Sequence, residues 1–133
     1  MSPVLSTITP QIGVLFFLLI TFGISVIEKL ADWKGTIAYI EANFKQTFIK
    51  NLITPLITGL LILEVITCIL IVYGVYSLIF YNDTFIAFLG LIFSGICVLY
   101  MLIGQRIAKD YVGATSLTVY FILIIIGLYL LNN

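Results

Sequence analysis

The sequence predicts an all-α integral membrane protein. It is a single domain that forms a four-transmembrane-helix bundle, with a short amphipathic interfacial helix between the first two spans. The 133-residue chain is 62% hydrophobic and only 9% charged, with a mean hydropathy of +1.26. Soluble domains are about 45–50% apolar and about 25% charged, so a water-soluble fold of this length could not bury so much apolar surface. Four apolar runs have about the 20 residues that a helix needs to cross a bilayer.

The apolar runs predict transmembrane helices over residues 12–30, 52–76, 85–104 and 115–131. The first run lacks a basic amino-terminal flank and a small-x-small cleavage signal, so we interpret it as a retained helix and not as a signal peptide. Pro55 falls in the first turn of the second span, where a missing N–H is tolerated. The short segment YND predicts that the second and third spans are adjacent and antiparallel.

Basic residues lie on one side of the predicted bundle only. Four of them follow the first span and two follow the third: Lys29, Lys34, Lys45, Lys50, Arg106 and Lys109. The amino-terminal segment, the turn between the second and third spans and the carboxy-terminal NN contain no lysine or arginine. Because basic residues near span ends mark the cytoplasmic side, both termini are predicted to face the non-cytoplasmic side.

The segment 33–49 predicts the interfacial helix. Its large apolar residues recur at helical spacing on one face: Trp33, Ile37, Ile40, Phe44 and Phe48. Lysines and a glutamate flank that stripe, which is the pattern of a helix that lies at a membrane surface. Such a helix either packs across the mouth of the bundle or acts as a gate or a docking surface for another protein.

Glu64 is the only charged residue inside the second span, and an ionisable group at that depth costs several kcal/mol unless it is paired or protonated. Thr67 and Cys68 follow at i+3 and i+4 on the same face, which we expect to point into the bundle. Matching depths across the bundle gives these polar partners: Thr21, Ser25, Tyr100, Gln105 and Tyr120. Either a protonated Glu64 donates to a carbonyl or a tyrosine and fixes helix register, or the cluster binds a small amphiphile such as a quinone and accepts its proton or its headgroup.

Cys68 and Cys97 are about equally far from the turn between the second and third spans, so they are predicted at the same depth. They form either a transmembrane thiol pair or two buried small apolar side chains, which is a common role of free cysteine. With no histidine and two cysteines, the chain offers almost no ligands of its own for a metal or a haem. Six basic residues against six acidic ones argue against a nucleic-acid partner.

Charged residues at the ends of the first and third spans form two groups on the predicted cytoplasmic side: Glu28, Lys29 and Asp32, and Arg106, Lys109 and Asp110. We expect an ion-pair network between the two groups. The second group is either a positive anchor in which Asp110 partners a base, or a site where Arg106 and Lys109 bind a lipid phosphate or a partner's carboxylate.

The chain resembles the DoxX family of small four-helix bacterial membrane proteins, from about residue 12 to residue 131. The resemblance rests on the segments FGISVIEKLADWKGTIAYI, GLLILEVITCILIVYGVY and GQRIAKDYVGA, and within them on Gly23, Lys29, Glu64 and Gly74. It implies a bacterial inner-membrane location and a bundle near quinone or respiratory chemistry. Any electron-carrying cofactor would then belong to a partner, because this chain has no histidine and no evident cofactor ligands.

From these features and the resemblance we expect an accessory, non-catalytic subunit of an inner-membrane complex. Its neighbours would be membrane lipids and larger membrane subunits, and its candidate ligands a quinone or a phospholipid. The small-xxx-small pair Gly90 and Ser94 would allow close helix approach. The alternative is a stand-alone quinone- or thiol-linked oxidoreductase that uses Glu64 and nearby tyrosines and cysteines. A transporter has less support, because one buried carboxylate and no pair of broken helices give little with which to bind and release a solute.

Overall fold

The computed structural model describes residues 3–45 and 47–132, and the described residues form five α-helices. The helices are α1 (Pro3–Ala31), α2 (Trp33–Asn43), α3 (Ile53–Phe80), α4 (Phe85–Ile107) and α5 (Tyr111–Asn132), with a short 3-10 helix at Lys50–Leu52 before α3. No β-strand occurs among the described residues. The fold is therefore all-α, as predicted.

Four of these helices contain a segment that is long and apolar enough to cross a membrane: Ile8–Ala31, Ile53–Phe80, Phe85–Ile107 and Tyr111–Leu131. The protein is thus a multi-pass membrane protein built as a four-helix bundle. Each of the four helices extends beyond its predicted span at one end or at both. The reason is that an apolar run stops at the first polar residues, whereas the helix continues through them until a turn or a cap ends it.

The four spans form a ring in which each helix packs against two neighbours. Helix α3 lies against α1 and α4, and α5 lies against α4 and α1, while α1 and α4 touch little across the diagonal. Successive spans run antiparallel, so the carboxy-terminal ends of α1 and α4 share one end of the bundle with the amino-terminal ends of α3 and α5. We call this the basic end, since it carries Lys29, Arg106 and Lys109. Helix α2 lies there, against α1 and α3.

The buried residues of α3 alternate between steps of four and three residues. They include Ile53, Ile57, Leu60, Glu64, Thr67, Ile71, Gly74 and Leu78. Helix α1 follows the same rule with Leu15, Leu18 and Phe22, which are at most 2% exposed. Such stripes are what neighbouring helices with a small crossing angle bury between them. Glu64 is therefore a core residue of the bundle, with 0% of its surface exposed.

Small residues bring α3 and α4 into close contact. A Cβ atom on Gly74 would lie 2.6 Å from the Cα of Ala87, and one on Gly90 would lie 3.2 Å from the Cγ1 of Ile71. Ser94 is buried and donates its hydroxyl to the Gly90 carbonyl at 2.8 Å. Gly90 of the small-xxx-small pair thus lies at the α3–α4 contact, and Ser94 is buried inside the bundle.

The interfacial helix is shorter than predicted, because α2 ends at Asn43 and does not reach residue 49. Thr47 explains the early end. Its backbone N–H and its hydroxyl both donate to the Phe44 carbonyl, at 3.0 and 2.7 Å, and close a turn there. The predicted apolar stripe is present in part: Trp33, Ile37, Ile40 and Phe44 are half-buried, whereas Phe48 is 85% exposed.

A tight link joins α4 to α5 at the basic end. Lys109 has a left-handed φ of 61°, and the Asp110 N–H donates to the Gln105 carbonyl at 2.9 Å, which is a common way to close a helix. Asp110 then caps α5, because its Oδ1 accepts the Gly113 N–H at 3.1 Å. This cap explains why α5 begins at Tyr111 and not at residue 115.

Candidate functional site

Glu64 forms an ion pair with Lys29 inside the bundle, about 16 Å along α3 from its start. The Nζ of Lys29 lies 3.0 Å from Oε1 and 3.3 Å from Oε2 of Glu64. The carboxylate side chain is fully buried, and the lysine side chain is 12% exposed. The same ammonium group donates to the Ser25 hydroxyl. The buried carboxylate is therefore paired, which offsets the cost of its burial.

Lys29 reaches inward although α1 ends only two residues later, at Ala31. The Cα–Cβ bonds of a helix tilt toward its amino terminus, so the Lys29 side chain leans back toward Ser25, one turn deeper in the span. A lysine near the end of a span usually extends to the membrane surface. This one does the opposite because Glu64 provides a buried charge with which to pair.

Two of the predicted partners of Glu64 bond to backbone carbonyls instead. Tyr100 donates its hydroxyl to the Leu56 carbonyl at 2.6 Å, which ties α4 to α3. Thr21 donates to the Phe17 carbonyl within α1 at 2.9 Å. The polar cluster predicted around Glu64 therefore needs correcting, since neither hydroxyl bonds to the carboxylate.

Two more of the five predicted partners, Tyr120 and Gln105, also lie elsewhere. Tyr120 packs against α1, with its ring centroid 6.0 Å from that of Phe17. Gln105 lines a cavity at the basic end that is described below. Depth matching failed here because it fixes the level of a residue in the bundle and not the direction in which its side chain points.

Ser25 was among the predicted partners, and it joins the site through its bond to the Lys29 ammonium. Lys29 itself was missed as the partner of Glu64, although the sequence contains a signal for it. The buried stripe of α1 includes Phe22. The next positions in steps of three and four residues are Ser25 and Lys29. A lysine in phase with a buried stripe is expected to face the bundle interior, where a lone carboxylate on a neighbouring span is its natural partner.

The ion-pair network predicted between the two charged groups of the basic end is not formed among the described residues. The ion pair found among them joins Lys29 to Glu64, which belongs to neither group. Lys29 turns inward, away from the second charged group. Arg106 lies over the ring of Tyr111, with the guanidinium carbon 5.0 Å from the ring centroid. A cation–π contact thus takes the place of the expected ion pair for Arg106.

The two aspartates of these charged groups cap helices. Asp32 accepts the Gly35 N–H at 3.1 Å and so begins α2, as Asp110 begins α5. Both aspartates are exposed, as are Glu28 and Lys109. These four side chains are therefore on the surface of the basic end.

Both thiols are free, and Cys97 lies at the α3–α4 contact. Cys97 is buried, and its Sγ lies 3.5 Å from the Oγ1 of Thr67, the neighbour of Cys68 in the chain. Thr67 donates its hydroxyl to the Leu63 carbonyl at 2.7 Å. This contact places Cys97 one turn of α3 beyond the ion pair, on the side away from the basic end.

A cavity of about 1110 Å³ opens at the basic end between α1, α2, α3 and α4. Its walls are mainly apolar and include Ile53, Leu56, Ile57, Leu60 and Met101. Ser25, Leu60 and Tyr100 are the deepest lining residues on α1, α3 and α4. Lys29 also lines the cavity, so one member of the buried ion pair can contact a molecule held there.

Replacing Tyr100 with phenylalanine is expected to destabilise the bundle by about 1 kcal/mol, because the hydrogen bond to the Leu56 carbonyl is lost. Thermal unfolding in detergent micelles measures the change. Tyr73→Phe is the matched control, since Tyr73 is 59% exposed on the outer face of α3. Equal unfolding midpoints for the two variants would show that the α3–α4 hydrogen bond does not form.

No protein-family model, curated protein or solved structure matches this chain. Among the described residues, no group of three His, Cys, Asp or Glu side chains lies together in a way that could hold a metal ion. The buried ion pair and the apolar cavity lie next to each other, since Lys29 belongs to both.

Proposed function

We propose that this protein is an accessory, non-catalytic membrane subunit that binds a membrane amphiphile in the cavity at the basic end. The observation that carries the proposal is the position of Lys29. It lines a mainly apolar cavity and pairs there with a buried carboxylate. A cavity with apolar walls and a few polar groups suits a molecule that has a hydrocarbon part and a polar head.

The two parts of the ligand would lie on different surfaces. The hydrocarbon part would lie against the apolar side chains of α3 and α4, and burial of that surface would supply most of the affinity. The charged groups that line the cavity would hold the head: Glu28, Lys29, Asp32 and Asp110. A phospholipid and a quinone both have this two-part shape.

The cellular setting is proposed from the resemblance to the DoxX family. Two of the residues on which that resemblance rests, Lys29 and Glu64, are the ion pair. We place the protein in a bacterial inner membrane, with the basic end cytoplasmic and both termini on the other side. Its partners would be larger, respiratory membrane subunits. The large apolar side chains exposed along α1, such as Phe17, Ile20 and Ile24, are available to lipid or to such subunits.

The binding half of the proposal is tested by filling the cavity. Leu56→Trp adds bulk at a lining position, whereas Ile62→Trp adds the same bulk on the outer face of α3, where Ile62 is 56% exposed. Mass spectrometry of lipid extracts from the purified proteins is expected to find a bound amphiphile with the wild type and with Ile62→Trp, and its loss with Leu56→Trp. Equal retention by all three proteins, or none by the wild type, would contradict the proposal.

The accessory half is tested by extraction from native membranes in mild detergent. We expect the protein to migrate in a complex larger than its own 14.8 kDa, with partner subunits identified by mass spectrometry. A protein that stays alone under conditions that preserve known membrane complexes would contradict an accessory role.

A further inference from the structure

The cavity at the basic end carries a negative charge that its ion pair does not cancel. Lys29 is the only basic residue among its lining residues that the structure describes, and Glu64 already neutralises it. Three carboxylates line the cavity itself: Glu28, Asp32 and Asp110. The mouth therefore favours a cationic group on any ligand that enters.

Aromatic side chains line the same cavity as these carboxylates. Tyr39, Phe44 and Phe48 all line the cavity, and the rings of Tyr39 and Phe48 are largely exposed. Aromatic faces attract ammonium groups, and they do so more strongly when water is partly excluded. Carboxylates and aromatic rings over an apolar cavity together fit an ammonium head that is joined to a hydrocarbon tail.

A second recess of about 640 Å³ adjoins the cavity and has the opposite charge. Lys45 and Lys109 line it, together with the polar side chains of Asn43 and Thr47, and no carboxylate is among its described lining residues. The two spaces share four lining residues, so they are contiguous: Asn43, Phe48, Ile107 and Ala108. The recess therefore offers an anion site next to the cation site.

We propose that this pair of sites binds the headgroup of a zwitterionic phospholipid. Its ammonium group would lie among Glu28, Asp32 and Asp110, its phosphate between Lys45 and Lys109, and its acyl chains along the apolar walls of the cavity. This inference rests on the proposed amphiphile-binding function and adds the chemistry of the head. An anionic lipid would leave the carboxylates without a cationic partner, and a cationic amphiphile would leave the lysines without an anionic one. A quinone would leave both the carboxylates and the lysines without a partner.

Each half of the headgroup site can be neutralised while the backbone is preserved. Glu28→Gln/Asp32→Asn/Asp110→Asn removes the negative half, and asparagine caps a helix about as well as aspartate. Lys45→Gln/Lys109→Asn removes the positive half, and asparagine tolerates the left-handed φ of 61° at position 109. The matched control is Lys34→Gln/Glu41→Gln, which removes one charge of each sign from α2 at positions that line neither space.

The experiment is native mass spectrometry of the full chain released from nanodiscs. The nanodiscs hold equal amounts of phosphatidylethanolamine, phosphatidylglycerol and a cationic trimethylammonium lipid. The wild type and the control are expected to retain phosphatidylethanolamine over each of the other two lipids by about fivefold or more. Loss of the carboxylates should move the preference to phosphatidylglycerol, and loss of the lysines should move it to the cationic lipid.

Two failures are distinguishable. Retention of all three lipids in equal amounts by every protein would overturn the headgroup assignment and leave amphiphile binding intact. Retention of no lipid by the wild type would overturn the proposed function itself. A wild-type preference for phosphatidylglycerol or for the cationic lipid would also overturn the assignment, because it would show that only one of the two charged sites acts.

Discussion

Replacing Lys29 with methionine is expected to destabilise the bundle by about 3–5 kcal/mol, because it leaves the fully buried Glu64 carboxylate without its partner. The loss far exceeds what the lysine stem contributes by packing, since methionine replaces most of that apolar surface. Equilibrium unfolding in mixed micelles of a mild and a denaturing detergent measures the difference. The matched control is Lys34→Met, which removes an exposed lysine on α2 and should change stability by less than about 1 kcal/mol.

The double variant Lys29→Met/Glu64→Met is expected to recover most of the lost stability. A buried ion pair replaced as a whole by apolar side chains of similar volume is often neutral or stabilising, whereas half a pair is strongly destabilising. Glu64→Met alone should cost less than Lys29→Met, because Lys29 is 12% exposed and can turn toward water. Stability losses that simply add in the double variant would show that the two side chains do not interact.

Replacing Gly74 with alanine is expected to destabilise the bundle by about 1–3 kcal/mol, the usual cost of overpacking. The new Cβ would lie 2.6 Å from the Cα and 2.8 Å from the backbone nitrogen of Ala87, so α3 and α4 would have to move apart. A flexible side chain could turn aside from such a contact, but the backbone of a packed helix cannot. The same detergent unfolding experiment measures the loss.

Gly23→Ala is the matched control for Gly74→Ala, with an expected change of the opposite sign. Gly23 lies inside α1, and nothing lies within 4 Å of where its Cβ would be. Alanine is favoured over glycine in a helix by about 1 kcal/mol, so this variant should be neutral or slightly stabilised. If Gly74→Ala were as stable as Gly23→Ala, the close α3–α4 contact would be wrong.

The sequence was sufficient to predict the fold, because lipid imposes few solutions on a chain of this composition. Four apolar runs of membrane-spanning length must become helices, since every backbone polar group in a bilayer has to be satisfied within the chain. The short YND segment forced α3 and α4 to be neighbours. Helix ends were less well predicted, because caps such as Asp110 and turns such as that at Thr47 decide them.

The partner of Glu64 could not be found from depth alone. Hydropathy gives the level of a residue in a span, and apolar side chains on every face of α3 hide the direction in which each one points. The direction becomes visible only in the three- and four-residue spacing of the small and polar residues Glu64, Thr67 and Gly74. Lys29 stands on an equivalent stripe of α1, but its place near the helix end made it look like a surface anchor.

The cavity was beyond sequence reasoning for a different reason. It exists because α2 ends at Asn43 and the chain then turns, so that the space between α1, α3 and α4 at the basic end is only partly covered. A helix that continued to residue 49 would have placed Phe48 on the same face as Phe44. Instead the side chain of Phe48 is largely exposed, and it lines both the cavity and the adjoining recess.

The most direct test of the buried ion pair is a solid-state NMR measurement in lipid bilayers. Protein labelled with ¹⁵N at the lysine Nζ and ¹³C at the glutamate Cδ is expected to show strong dipolar dephasing from a lysine–glutamate pair whose N–O distances are 3.0 and 3.3 Å. That dephasing should disappear in Lys29→Met and persist in Lys45→Gln. A signal that is absent from the wild type, or unchanged in Lys29→Met, would contradict the placement of Lys29 against Glu64.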